Sequence, residues 1–240
     1  MLRYLTKFQQ LLANYHVSED SKQILASTEL VLLLAASGSG RNTVIRELVK
    51  TKEYHFIISD TTRQPRVNDG VMEQNGVEYW FRDELDVLDD LQNGRFLEAE
   101  LIHNQQVSGI SMRELQNAHD EKRIAITDVD RGGLQNIVQA KPDAIAVLLL
   151  PPSFEEWQLR MLNRGEMTSG EHRRRLVTAC QIFTMALENK YFKFVINNNV
   201  TDAVEQIKTL SSESSGTAQE TAHQLASVLL AKTQLYLESN

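Results

Sequence analysis

The stretch Leu30-Val-Leu-Leu-Leu-Ala-Ala36, followed at once by Ser37-Gly-Ser-Gly-Arg-Asn-Thr43, decides the fold class of this chain. The apolar run is too short for a buried helix and is typical of a central parallel strand. Apolar residues then recur at helical spacing in Val44, Ile45 and Leu48. The order of strand, tight glycine turn and helix predicts an α/β domain.

Further apolar runs repeat this pattern at residues 54–58, 124–129, 144–150 and 192–196. Helical segments separate most of these runs, and this alternation predicts a parallel sheet flanked by helices on both faces. Between residues 63 and 108 the pattern changes, because short strands at 77–81 and 95–102 surround an acidic helix. We interpret this region as an inserted small mixed β/α subdomain.

Helical segments also flank the main domain. Residues 2–15 have the apolar spacing of an amphipathic helix, and residues 18–27 have the composition of a polar connection. Residues 211–217 (SSESSGT) are typical of a flexible linker. The predicted organisation is an N-terminal helical extension at 1–29, a main domain at 30–210, a linker at 211–219 and a C-terminal helix at 220–240.

Two helices are predicted after the proline pair Pro151-Pro152. Ser153, with Glu156 three residues later, has the capping-box pattern that begins a helix, which runs to about Asn163. A second, longer helix begins near Glu171.

Composition limits the classes of function. Of the 240 residues, 25 are Lys or Arg and 32 are Asp or Glu, so the net charge is −7 and disfavours nucleic acid and anionic membranes as partners. Cys180 is the single cysteine and cannot form an internal disulfide. No apolar run approaches the ~20 residues of a membrane-spanning helix. We expect a cytoplasmic protein whose oligomeric state is open, with the terminal helices as candidates for self-association.

The glycine turn occupies the frame of a phosphate-binding P-loop, but Gly40 alone matches it strictly. Such loops bind phosphate through backbone N–H groups, a cation and a hydroxyl that holds Mg²⁺. Arg41 retains the positive charge of the Lys in the P-loop pattern. Asn42 stands in place of the Ser or Thr and offers an amide oxygen that can bind Mg²⁺. The loop alone favours a phosphate site and a structural turn about equally. Its candidate phosphate-binding residues are Ser37, Gly38, Ser39, Gly40, Arg41, Asn42 and Thr43.

A second segment, Ile57-Ile-Ser-Asp-Thr-Thr-Arg-Gln-Pro-Arg66, precedes Gly76-Val-Glu-Tyr-Trp-Phe81 and Phe96-Leu-Glu98, and together they closely resemble the monophosphate-binding region of guanylate kinases. The resemblance covers about residues 30–208. It implies a P-loop NTPase-type fold with an acceptor-binding subdomain at about 59–110 and a helical lid at about 160–175. Its other landmarks are Asp128-Val-Asp130 with Gly133 nearby, Leu150-Pro-Pro-Ser153, Arg160, Arg164, Arg175 and Val195-Ile-Asn197.

The arginine string has the chemistry of a phosphate site. Two guanidinium groups on a proline-stiffened turn can grip a phosphate, whereas the alternative is a solvated loop with surface ion pairs. The resemblance assigns the acceptor phosphate to Ser59, Arg63, Arg66 and Tyr79. Glu98 corresponds to the carboxylate that reads guanine, a base with two neighbouring N–H donors.

The resemblance also supplies the remaining roles. Asp128 helps to position the acceptor nucleotide, and Asp130 is either a magnesium-side group or a local cap, so that Asn42 and Asp130 are the metal candidates. Asn197 matches a position near the adenine of the donor, although an Asn at a strand end is also a routine turn residue.

Arg160, Arg164 and Arg175 resemble the arginines that close over the transferring phosphoryl group, and with Arg41 they are the candidate catalytic residues. The alternative for the three helical arginines is a basic helix surface.

The chain departs from the family pattern in two further places. The segment between Arg66 and Tyr79 is longer than usual, and residues 106–110 lack the common Tyr-Gly-Thr or Tyr-Gly-Ser, for which Ser108 and Ser111 could substitute in part. The leading function is phosphorylation of GMP by ATP with Mg²⁺. The alternatives are a catalytically impaired nucleotide-binding or partner-binding module and a kinase with another monophosphate preference.

Overall fold

The computed structural model describes residues 2–68, 70–163, 167–210 and 216–239. The helices are α1 (Leu5–Ala13), α2 (Glu19–Ser27), α3 (Arg41–Lys50), α4 (Glu84–Gln92), α5 (Met112–Asp120), α6 (Arg131–Ala140), α7 (Phe154–Leu162), α8 (Ser169–Glu188), α9 (Val200–Lys208) and α10 (Gly216–Ser239). The strands are β1 (Leu30–Ala35), β2 (Tyr54–Phe56), β3 (Asp60–Thr61), β4 (Val67–Asn68), β5 (Val71–Met72), β6 (Trp80–Phe81), β7 (Phe96–Ile102), β8 (Gln106–Ser111), β9 (Ile124–Asp128), β10 (Ile145–Leu150) and β11 (Phe192–Ile196). Parallel strands flanked by helices confirm the predicted α/β class.

The chain forms two compact units. The first contains Met1–Leu30, Lys52–Thr127 and Gly132–Ala144, and the second contains Val31–Thr51, Asp128–Arg131 and Ile145–Asn240. Within the described ranges, none of the helices combines the length and the apolar character needed to cross a bilayer.

The second unit is built on the parallel strands β11, β10 and β1. β1 pairs with β10 from Val31↔Ile145 to Ala35↔Leu149, and β10 pairs with β11 up to Leu150↔Ile196. The side chains of β1 are almost completely buried, as the continuous apolar run predicts. α10 packs against α8 and against β11.

The first unit contains the parallel pair β2 and β9 and a separate mixed sheet with the order β6-β3-β8-β7. β3 pairs parallel to β6 and antiparallel to β8, and β7 and β8 form an antiparallel pair. β4 and β5 form a short hairpin with the pairs Val67↔Met72 and Asn68↔Val71. This mixed sheet is the inserted β/α region that the sequence predicts.

The N-terminal helices pack on this mixed sheet. α1 contacts α4 and β7, and its fully buried Phe8 joins a core cluster with Leu88, Leu91 and Phe96. The Tyr15 hydroxyl donates to the Phe96 carbonyl at 2.6 Å and accepts from the Phe96 N–H at 2.7 Å. Burial is the main reason why the pKa of Tyr15 is raised to about 12. The N-terminal extension is therefore part of the first unit.

Three boundaries differ from the sequence prediction. Residues 18–27, predicted as a connection, form α2, because the Ser18 side chain caps the helix and Leu25 is buried. Of the predicted strand at 77–81, Trp80–Phe81 form β6 and Tyr79 makes an isolated bridge with Asn75, since Gly76 turns the chain with φ +78°. α10 begins at Gly216, inside the predicted linker, and the side-chain amide of Gln219 hydrogen-bonds both the N–H and the carbonyl of Phe194. Residues 211–215 lie outside the described residues.

Candidate active site

The glycine turn of the second unit lies between β1 and α3. Gly38 and Gly40 have φ values of +90° and +91°, a left-handed conformation that favours glycine. A Cβ on Gly38 would lie 2.8 Å from Met161 Cγ, and a Cβ on Gly40 would collide with Asn197 Nδ2. Packing and backbone conformation therefore both require glycine at these two positions.

Side chains from other elements hold the turn in place. Trp157, on α7, donates from Nε1 to the Ser37 carbonyl at 2.7 Å. Asn197 Nδ2 donates to the Ser39 carbonyl at 2.8 Å, and the Asn197 residue is only 3% exposed. The turn leads into the N-terminus of α3, where the first backbone N–H groups of a helix lack intrahelical acceptors. An anion at this end would meet both these donors and the positive end of the helix dipole.

Asn197, expected near the adenine of the donor, lies against the glycine turn. Its side chain is buried beneath the glycine turn and bonds to the backbone of that turn, so it supports the loop. The end of β11 explains the placement. There the Asn197 N–H donates to the carbonyl of Leu150, the last residue of β10, at 2.8 Å.

Arg41, the first residue of α3, forms an ion pair with Asp128. Its Nη2 atom lies 2.5 Å from Asp128 Oδ2, and the two side chains are 27% and 37% exposed. The sequence predicts both residues as site residues but does not predict that they pair. Of the two metal candidates, Asn42 is exposed at the start of α3, and Asp130 is exposed immediately before α6.

Two of the three predicted lid arginines lie in described segments. Arg160 donates from Nη1 to the Asn197 carbonyl at 3.2 Å and from Nε to Glu156 at 3.0 Å. Arg175 donates from Nη1 to Ser37 Oγ at 3.4 Å, and its Nη2 atom lies 2.5 Å from Glu171. Both guanidinium groups are therefore held close to the glycine turn, whereas Arg164 lies outside the described residues.

The arginine string of the first unit forms a tight turn after β3. Arg63 binds Glu73 through two contacts, Nη1 to Oε2 at 2.5 Å and Nη2 to Oε1 at 2.8 Å. The Arg63 guanidinium carbon lies 4.8 Å from the centroid of the Tyr79 ring. The hydrogen bond to Glu73 is the main cause of the raised pKa of Arg63. By contrast, Arg66 is exposed.

A buried carboxylate fixes the strand beside Ser59. Asp60 is 1% exposed and accepts from Arg82 at 2.6 Å and from Arg113 at 2.8 Å. Burial raises the pKa of Asp60, although the two arginines oppose this effect. Ser59 itself accepts a backbone hydrogen bond from the Trp80 N–H at 2.9 Å, which brings Ser59 next to the strand that follows Tyr79.

Glu98 lies on β7, half-buried, and pairs across the sheet with Ile110. Gly109, the neighbour of Ile110, pairs with Asp60 on β3. Ser108 donates to Thr61 Oγ1 at 2.8 Å, so its hydroxyl is engaged within the sheet. Ser111 is 2% exposed, and its hydroxyl makes no hydrogen bond within the described parts of the chain.

Sequence reasoning misses Glu73 and Trp157, two residues on which this geometry depends. Glu73 is one of several acidic residues in the segment after Arg66, and Trp157 has the helical spacing of an ordinary core residue. No local signal distinguishes either residue from its neighbours.

Comparisons with known proteins place this chain among guanylate kinases. The family model described as guanylate kinase matches residues 27–214. The guanylate kinase of Porphyromonas gingivalis is 32% identical over 184 residues, which cover 75% of this chain and 95% of that protein. The guanylate kinase of Mycobacterium leprae is also 32% identical, over 75% of this chain and 84% of that protein. A crystal structure of guanylate kinase from Anaplasma phagocytophilum has the same fold, with a TM-score of 0.53 and 20% identity over 82% of this chain and 92% of that one.

Proposed function

Because this chain belongs to the guanylate kinase family, we propose that it transfers the γ-phosphoryl group of ATP to GMP and forms ADP and GDP. The observation that carries the proposal is the glycine turn. Its glycines are left-handed and an arginine begins α3, although its sequence departs from the strict P-loop pattern. Positioning and charge stabilisation carry such transfers, so the reaction needs no covalent protein intermediate.

In this proposal the second unit binds the donor. The N-terminal N–H groups of α3 bind the phosphates of ATP. Arg41 exchanges its contact with Asp128 for a contact with these phosphates. Arg160 and Arg175, which contact the residues around the turn, stabilise the charge that develops on the transferring group.

The oxygen donors near the turn fit Mg²⁺. Mg²⁺ prefers hard oxygen ligands and keeps several waters, and Asn42 and Thr43 present an amide oxygen and a hydroxyl to solvent at the start of α3. The described residues contain no cluster of three or more His, Cys, Asp or Glu, so the nucleotide phosphates would supply most of the coordination. When bound, the ion neutralises the charge of the donor phosphates.

The first unit binds the acceptor. We assign its phosphate to Ser59, Arg66 and Tyr79 with Arg63 beside them, and its base to Glu98. Glu98 pairs across the sheet with Ile110, whose apolar side chain offers no hydrogen bond to a base.

The test is ADP release from ATP and Mg²⁺ with GMP, dGMP, AMP, UMP or CMP as acceptor. We expect turnover with GMP and dGMP. Turnover with another nucleotide instead would support the altered-preference alternative, and binding without turnover would support a nucleotide-binding module.

One observation favours the binding-module alternative, the Arg41–Asp128 ion pair. In this pair Asp128 engages the guanidinium that a donor phosphate would need. Arg41→Lys combined with Asn42→Ser separates the two functions. A co-adapted enzyme gains little or loses activity, since Lys cannot reproduce the guanidinium fork. A large rise in turnover over a nearly inactive wild type would identify a module that has lost catalysis.

A further inference from the structure

We propose that Glu73 is the positioning residue of the acceptor-phosphate site and gives the two arginines different roles. Arg63 is fixed by Glu73, and Arg66 binds the phosphate. The inference rests on the proposed function, because it concerns the acceptor of that reaction. Glu73 lies in the segment between Arg66 and Tyr79, which is longer here than is usual in the family.

The contacts of Glu73 join both ends of the arginine turn. Both of its carboxylate oxygens bind the Arg63 guanidinium, and Oε2 also accepts the backbone N–H of Arg66 at 2.9 Å. The Glu73 N–H in turn donates to the Arg66 carbonyl at 2.9 Å. A single side chain thus fixes one guanidinium and, through the backbone, the position from which the other extends.

Burial makes this arrangement rigid. The Glu73 side chain is 4% exposed and the Arg63 side chain is 11% exposed. A bidentate contact between arginine and carboxylate is geometrically specific, and breaking one in a buried site leaves an uncompensated charge. Glu73 is therefore poorly suited to leave Arg63 when an anion arrives.

The donors of Arg63 are largely occupied. Nη1 donates to Glu73 and also to the Gln64 carbonyl at 3.0 Å. The guanidinium carbon lies 4.8 Å from the Tyr79 ring centroid and 5.5 Å from that of Phe81. Arg66, in contrast, is exposed and extends from a backbone that Glu73 holds. The chemistry thus favours Arg66 as the residue that makes charge-assisted hydrogen bonds to a phosphate monoester.

The test uses Glu73→Gln in the full chain, with Glu78→Gln as the matched control. Glu78 is an exposed glutamate of the same segment, and its carboxylate accepts from the Gln74 N–H at 2.7 Å. Calorimetric titration with GMP measures binding independently of turnover, and circular dichroism verifies that each variant is folded at the temperature used. Glu73→Asp, which keeps the charge, serves as the second variant if Glu73→Gln does not fold.

We expect Glu73→Gln to weaken GMP binding about tenfold or more and to raise KM for GMP while kcat at saturating GMP stays near that of the wild type. Glu78→Gln should bind GMP as the wild type does. Because Glu73 acts through the placement of Arg66, Glu73→Gln should cost much less affinity in an Arg66→Ala background than in the wild type.

Two results would overturn the inference while leaving the proposed function intact: GMP affinity in folded Glu73→Gln equal to that of Glu78→Gln, or additive losses in the double variant. Tighter GMP binding by Glu73→Gln would also overturn it, because Glu73 would then compete with the phosphate. A wild type that binds no nucleoside monophosphate would refute the proposed function itself, and with it this assignment.

Discussion

The glycine turn of the second unit and the arginine turn of the first each place a guanidinium against a carboxylate, but they bury the pair to different degrees. The Arg41 and Asp128 side chains are 27% and 37% exposed and meet through Arg41 Nη2 and Asp128 Oδ2. The Arg63 and Glu73 side chains are 11% and 4% exposed and share two contacts. Exposed ion pairs contribute about 0–1 kcal/mol to stability, whereas breaking a buried pair costs about 3–5 kcal/mol.

The difference indicates which arginine can change partner. Arg41 loses little when it leaves Asp128 for a phosphate, since water and the phosphate both compensate it. Arg63 can leave Glu73 only by exposing or neutralising a buried carboxylate. A contact between a guanidinium and a carboxylate is thus partly exposed in one unit and buried in the other.

The largest expected effect is on folding. We expect Arg63→Ala to lower the free energy of unfolding by about 3–5 kcal/mol, because Glu73 is left buried without its cation. Urea unfolding followed by circular dichroism measures this change. Arg41→Ala serves as the comparison and should lower the same free energy by about 1 kcal/mol or less. Equal losses in the two variants would remove the distinction between the turns.

A smaller effect is expected on acceptor binding. Arg66→Ala should weaken GMP binding by about 1.5–3 kcal/mol, the range for hydrogen bonds to charged groups, with little change in stability because Arg66 is exposed. Calorimetric titration tests this. The control is Arg95→Ala, which changes an exposed residue immediately before β7. If GMP affinity does not change, the phosphate must be bound elsewhere.

Much of this architecture follows from local signals. β1 is predicted from its apolar run, and the start of α7 from Ser153, whose hydroxyl accepts the Glu156 N–H at 3.1 Å. Gly38 and Gly40 are predicted from their positions in the turn. In each case the cause lies within a few residues of the effect, so the sequence pattern contains it.

Other features depend on contacts between distant segments. Tyr15 and Phe96 bond across 81 positions, and Asn197 and Ser39 across 158, so no local pattern reveals that α1 packs on the mixed sheet or that Asn197 supports the glycine turn. The partner of Arg63 is ambiguous in sequence for another reason. Asp69, Glu73 and Glu78 all lie in the same segment, and the hydrogen bond from the Glu73 N–H to the Arg66 carbonyl selects Glu73.

The smallest effect concerns a third ion pair, of intermediate burial. His55 lies 2.9 Å from Glu121 and 3.6 Å from Glu114, and its side chain is 17% exposed. The nearby Glu114 carboxylate is the main cause of the raised pKa of His55. A raised folded-state pKa stabilises the fold below the unfolded value of about 6.5, and this contribution disappears as pH rises through the folded value.

We therefore expect the free energy of unfolding to fall as pH rises above about 6.5, and to fall less in His55→Gln. Urea unfolding across this pH range measures the difference, and His16→Gln, at an exposed position of the same unit, should keep the wild-type slope. The same slope in His55→Gln would show that His55 does not cause the pH dependence.

The central claim is that Arg41 is an exchangeable cation that serves the donor phosphates, and the turnover of Arg41→Ala tests it most directly. The measurement is ADP release at saturating ATP, Mg²⁺ and GMP, with Arg46→Ala on the exposed face of α3 as the control. We predict that Arg41→Ala lowers turnover by about 100-fold or more, the scale on which a charge-stabilising donor acts, while GMP affinity and folding stay near those of the wild type. Turnover equal to that of Arg46→Ala would contradict the claim and leave the Arg41–Asp128 ion pair as a structural contact.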